Sequence, residues 1–303
     1  MAVNRERVLG RMDRLAAFTE VDRPYTRRAF TPLYARAREW LEGELRQAGL
    51  APRIDAGGNL VGRRDGTAAG TPALMLGSPI DTVIGGGRYD GMAGVVAALE
   101  VAQALAEHSD TLQHPLAVVD FLSEEPSDYG VSCVGSRAMA GTLTPDMLVA
   151  TVGRIEVSPN AANVVPGHVR LTVEARSMVP ERLDRFFATV VHVARDRLEQ
   201  DGLTLQARRI SDAAPVRCSE AIQETICRVA EQRGYRHVAL QSGAGHDTMQ
   251  VAQLCPVGMI FVPSHAGRSH VPDEYTAPED LQAGVEVLCE TVRQLDRSMP
   301  RAA

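Results

Sequence analysis

The chain has 303 residues, 45% hydrophobic and 23% charged, enough for one large domain or two ordinary ones with a real core. Its net charge of −6, with arginine as the sole basic residue besides histidine, leaves no electrostatic footprint for nucleic acid or an anionic membrane. No apolar run reaches membrane-spanning length, the N-terminus lacks a signal-peptide core, and five scattered cysteines without a CxxC pair fit a reduced, cytoplasmic protein.

Two amphipathic helices come first. Val8, Leu9, Met12, Leu15 and Phe18 share one helical face, and Leu33, Trp40, Leu41 and Leu45 another, the second helix opening at Thr31-Pro32. Short strands are expected at 52–55, 59–63 and 73–77, the last a continuous apolar run of the kind covered on both faces. The Ala- and Val-rich run 91–108 has helical spacing, and PLAVVDFL (115–122) is another buried strand, ending in Ser123-Glu124-Glu125. Strands alternating with helices predict a three-layer α/β/α domain, and ligands of such sheets bind beyond the carboxyl ends of the strands.

After Thr142-Leu143-Thr144-Pro145 the pattern changes. Residues 148–157 and 168–176 alternate like half-exposed antiparallel strands, 182–200 is an amphipathic helix, and 203–210 is a further strand. This β-β-α-β block (147–213) reads as a small α+β module inserted into a larger domain built from 1–146 and 214–303. The larger domain resumes with a helix at 219–233, a strand at 257–262 and a final helix at 280–295.

Four loops collect the polar chemistry: GSPIDTVIGGGRYDG (77–91), FLSEEPSDYG (121–130), QSGAGHDTMQ (241–250) and PSHAGRSHVPDE (263–274). Asp90, Glu124, Glu125 and His270 are the natural donors for a hard or borderline cation such as zinc or manganese. Spacing alone does not select them. Asp90 before Gly91 reads equally well as a helix N-cap, Glu124-Glu125 as a solvated strand end, and a loop histidine as a surface residue.

In order and wording these loops resemble the aminoacylase-like di-zinc metallopeptidases, and within them the N-carbamoyl-L-amino-acid hydrolase and allantoate amidohydrolase branch. GGGRYDG (85–91), the EE loop followed by GSRAMAG (135–141), PNAANVVPG (159–167), SGAGHD (242–247) and GMIFVPS..G.SH.P.E (258–274) carry the resemblance. It implies that Asp90 bridges two metals, that Glu125 and His270 complete one metal's shell, and that Glu124 is the general base. It also implies that Asn163 and Arg176 grip a substrate α-carboxylate, a task suited to the two-pronged guanidinium. Gly243 and Ala244 then belong to the substrate-binding loop, and His246 joins Glu124 among the catalytic candidates.

The resemblance has two breaks. The family's loop reads G-S-H-x-D-T, its His a ligand of the first metal and its Asp the group that orients that His. Here Pro79 holds the His position, so Asp81 is expected to have nothing to orient. After GSRAMAG the family continues into a metal-binding H-I-E-Q-G-P motif and half of its lid. That stretch includes a His thought to stabilise the oxyanion. This chain passes from 141–145 straight to 149–153. Both departures strike the same metal, and the family's dimer contact is built from the lid elements that are shortened here.

The expectation is therefore an amidohydrolase cutting a C–N bond in a small, carboxylate-bearing N-acyl, N-carbamoyl or ureido amino acid. One divalent cation, zinc or manganese, is expected at Asp90, Glu125 and His270, with His246 and the off-pattern His265 as candidate replacement ligands. Two alternatives stay open. One is a repurposed enzyme doing acid–base chemistry, such as cyclisation, isomerisation or elimination, without a metal. The other is a non-catalytic binding protein.

Overall fold

The computed structural model describes residues 3–126, 132–143, 155–171, 180–209 and 215–300. Helix α1 (Arg5–Ala16) starts where the Asn4 side chain accepts a bond from the Arg7 amide, and α2 (Pro32–Gln47) where Thr31 caps Tyr34 with Pro32 in the first turn. Strands β1 (Ala51–Ile54), β2 (Leu60–Arg64) and β3 (Leu74–Ser78) precede α3 (Met92–Glu107), β4 (Leu116–Asp120) and the short α4 (Val134–Met139). Then come β5 (Ile155–Ser158), β6 (His168–Leu171), α5 (Pro180–Gln200), α6 (Glu220–Gln232), α7 (Thr248–Val251) and α8 (Pro278–Ser298).

The main sheet has the order β1-β2-β4-β3, antiparallel except for the β3–β4 pair. Along β4, which is buried throughout, successive side chains take opposite faces. Leu116 and Val118 pack into the core with α1, α2, α3 and α8, whereas Ala117 and Val119 meet Val251, Met139 and Val257 on the other side. The sheet is thus sandwiched as expected, and each large side chain buried this way contributes about 1.5–3 kcal/mol. No described helix is long and apolar enough to cross a membrane.

Among the described residues, strands β5 and β6 pair with each other alone, in a separate two-stranded sheet. Two expected strands are corrected. Residues 203–209 form no ladder, so the described part of the inserted block is β-β-α. The parts of the expected strands at 148–154 and 172–176, and residue 210, lie outside the described residues. The run 257–262 also forms no ladder, although Val257 packs on the sheet and Ile260 packs against Val229, Ala230 and Val287. Apolar periodicity registers burial, and a buried extended segment carries the same signal whether or not its backbone is paired.

The parallel pair positions the site. Ser78 and Asp120 are register partners at the carboxyl ends of β3 and β4, so loops 79–91 and 121–126 leave from one edge. The buried Asp120 carboxylate ties them to the frame, accepting from the Ile80 amide at 3.0 Å and from Arg38 Nε at 2.9 Å. Arg27 supports the same loop from the N-terminal segment. Its buried guanidinium donates to the carbonyls of Ile80, Leu15 and Phe18, and its backbone bonds twice to Thr82.

Candidate metal centre

Asp90, Glu125 and His270 each present one donor atom, and the three atoms lie within 4.8 Å of one another. His270 Nε2 is 2.7 Å from Asp90 Oδ2 and 3.4 Å from Glu125 Oε1. The three residues line a small cleft together with Asp81, Thr82, Val83, Gly86 and Gly87. Glu125 is largely covered, its side chain 12% exposed, while the His270 ring is 51% exposed, so the cluster opens to solvent on one side. Asp90 directs its carboxylate to His270, and the N-cap of α3 is Gly91, which corrects the reading of Asp90 as a cap.

The backbone that carries these side chains is held by two further carboxylates. Asp81 is buried, and its two oxygens accept from the amides of Glu124 and Glu125, both at 3.1 Å. The expectation that Asp81 has nothing to orient is therefore corrected: it orients the EE loop. Glu274 accepts from the amides of Tyr89 and Asp90 at 2.9 and 3.1 Å. Pro79 packs straight onto the Asp90 turn. Gly91 has φ +65°, and a Cβ there would fall 2.7 Å from the Pro79 carbonyl oxygen and 2.9 Å from its Cγ. Saturated ring carbon, with no lone pair to offer, therefore faces this turn.

The charges explain what the site calls for. Burial pushes the Glu124 carboxyl up to about 10, reinforced by Asp247, Glu125, Asp81 and Asp90. Burial, with Asp120 and Glu125, also holds Asp81 well above the usual carboxylate range. Burial alone would raise Asp90, but the His270 hydrogen bond and charge outweigh it and hold it low. His270 rises to about 9, first through its hydrogen bond to Asp90 and then through Glu125. Without a cation, His270 answers the carboxylates by keeping a proton. Two carboxylates and an imidazole, converging in a partly open cleft with their backbone pinned, are a donor set that fits a divalent cation.

The remaining expected residues fall at different distances from this cluster. Glu124 sits beside it, 3.9 Å from the Cys133 thiol. His246 bonds Ser242 Oγ at 2.8 Å, packs 5.8 Å from the Phe261 ring, and contributes to the field on Asp90. Gly243 and Ala244 are exposed in the same loop. His265 is exposed in a short 3-10 turn, its amide bonded to the Tyr275 carbonyl. Asn163 is exposed in the β5–β6 connection, and Arg176 lies outside the described residues.

The sequence reading missed four supports. Glu274 and Asp247 stood inside quoted motifs without a role. Asp120 was visible as an acid ending an apolar run, and Arg27 had no signal.

A profile of peptidase family M20/M25/M40 matches residues 75–294. The chain belongs to this family. Within M20 it is 29% identical to an N-carbamoyl-L-amino acid amidohydrolase of Geobacillus stearothermophilus, over 89% of this chain and 93% of that one. It is also 29% identical to an N-carbamoyl-L-amino-acid amidohydrolase of Paenarthrobacter aurescens, over 96% and 98%. Both matches run over more positions, 380 and 408, than the 303 residues of this chain, so each relative carries residues without a counterpart here. The fold is shared with an amidase of the hydantoinase/carbamoylase family from Burkholderia vietnamiensis, with TM-score 0.88, 24% identity and 99% of each chain covered.

Proposed function

We propose that this M20 protein is an amidohydrolase that cleaves the C–N bond of a small N-carbamoyl, ureido or N-acyl amino acid with one divalent cation held by Asp90, Glu125 and His270. The convergence of three donor atoms within 4.8 Å, from loops 79–91, 121–126 and 263–274, carries this reading. The names of its relatives support the substrate class.

A cation at these residues supplies Lewis acidity to a carbonyl and to water, and positive charge that offsets the repulsion raising Glu124. Glu124 takes the proton of the attacking water and delivers it to the departing nitrogen, so that water is consumed and acid and amine are formed. Asp81 keeps Glu124 and Glu125 in register with each other through their amides. Residues 147–213 form the shortened lid, from which Asn163 and Arg176 bind the α-carboxylate, with Gly243 and Ala244 on the facing loop. His246 lies next to the chemistry as a proton-relay or ligand candidate, and His265 is set apart from it by its place in the exposed turn.

Metal analysis of the purified protein, combined with turnover of N-carbamoyl and ureido amino acids, tests the proposal. About one equivalent of metal is expected, together with activity that falls about 100–10,000-fold in Glu124→Gln while the metal stays bound. No metal uptake from added zinc or manganese, or unchanged turnover in Glu124→Gln, refutes it.

A further inference from the structure

Of the three metal-ligand residues, Asp90 lies on a glycine-rich stretch, Gly85-Gly86-Gly87-Arg88-Tyr89-Asp90-Gly91, that nothing in its own sequence makes rigid. The turn is held from outside. One oxygen of Glu274, Oε2, accepts from two consecutive amides, Tyr89 at 2.9 Å and Asp90 at 3.1 Å, across 185 and 184 residues of chain. Glu274 is buried (6% exposed) and is itself anchored four residues beyond His270, its amide donating to the Val271 carbonyl. The same side chain therefore ties the loop of one ligand to the loop of another. Gly87 fits this contact closely. A Cβ at Gly87 would fall 1.8 Å from Glu274 Oε2 and 2.7 Å from its Cβ, so any side chain there expels the carboxylate.

We infer that Glu274 is the positioning residue of the metal centre: it sets the separation of Asp90 from His270 by holding the Tyr89 and Asp90 amides, and Gly87 is glycine to admit it. The inference rests on the proposed metal centre. A charged acceptor shared by two amides is stronger than a neutral one. Groups that orient a metal ligand from behind typically govern about 10–100-fold in metal affinity. Glu274 touches neither water nor substrate in this role, and its effect passes through Asp90.

The decisive measurement is the dissociation constant of zinc or manganese, by competition with a chromophoric chelator, for wild type, Glu274→Ala, Glu274→Gln and Gly87→Ala. Hydrogen exchange of the Tyr89 and Asp90 amides in the metal-free proteins accompanies it. The expected result is a dissociation constant raised about 10–100-fold in Glu274→Ala and Gly87→Ala. Glu274→Gln keeps an acceptor oxygen and loses its charge, so it should fall between them and wild type. Its metal-free melting temperature should match wild type while its metal affinity does not. The two amides should exchange faster in Glu274→Ala and Gly87→Ala only. Equal metal affinity in wild type and Glu274→Ala overturns the inference, as does a loss of metal-free stability in Glu274→Gln that parallels the loss of affinity. Absence of metal binding by wild type overturns the metal-centre reading instead, and unaltered amide exchange in Glu274→Ala would still separately refute the clamp.

Discussion

The two flanks of Asp90 differ in kind. On the His270 side an imidazole and a second carboxylate converge, and the backbone behind them is gripped by buried acids. On the Pro79 side a saturated ring lies against the Gly91 backbone and offers no lone pair. The flanks come from different segments: loops 121–126 and 263–274 on the first, the residues between β3 and α3 on the second. They differ in donor chemistry as well as in origin. The Asp90 turn thus meets a donor cluster on one side and saturated carbon on the other, while its backbone is held from a distant loop.

Removing the imidazole tests the retained flank most severely. His270→Ala should leave two carboxylates and no nitrogen donor, so the protein should emerge metal-free from gel filtration and turn over nothing. Retention of a full equivalent would dissolve the contrast between the flanks.

A smaller effect is expected at Asp81. In Asp81→Asn one oxygen becomes an amide donor, so either the Glu124 or the Glu125 amide loses its acceptor. The expected cost is about 1–3 kcal/mol of stability and about 10–100-fold in metal affinity. Denaturant unfolding and metal competition read both.

The pH dependence of the metal-free protein sharpens the comparison further, because the ground around Glu124 is crowded with acids. Burial pushes Asp247 up to about 7, against the pull of its 2.6 Å bond from Ser136 Oγ. Burial likewise raises Asp120 to about 6 in spite of Arg38. Both folded-state values lie above the ordinary 3.8, so the folded protein binds more protons than the unfolded chain between about pH 4 and 7. Their contribution is fully present below about pH 4 and is lost as pH rises through 6 and 7. Melting temperature in chelator should therefore fall across that window, and Asp247→Asn should flatten the upper part of the slope. A flat profile across that window would show that these acids ionise without penalty.

The smallest change is expected on the Pro79 flank. Pro79→His adds one donor beside Asp90, but two ligands do not make a shell. Metal content should stay at about one equivalent, and a rise to two would mean that a further donor stands ready nearby.

The sequence made the ends of this picture legible and left the middle dark. Helices α1, α2, α3 and α8 followed from apolar spacing, because their buried stripes recur at helical intervals. Asp90, Glu125 and His270 were named from matching loops, and the structure brings them together. The run 257–262 looked like a strand because burial and pairing leave the same apolar signature. Asp81 was given no task because its partner there is backbone, and an amide has no letter in a sequence. Arg27 escaped for the same reason, since its guanidinium serves carbonyls of Ile80, Leu15 and Phe18 rather than side chains.

The clamp between Glu274 and the Tyr89–Asp90 amides closes a span of about three-fifths of the polypeptide. Contacts so distant along the chain are entropically late ones during folding, after local helices and the β2–β4 ladder have formed. His270 lies 180 positions beyond Asp90, so the nitrogen donor and the clamp both come from a segment far along the chain from the turn they meet. A variant lacking residues 263–274 should therefore lose the imidazole beside Asp90 and the grip on its backbone together.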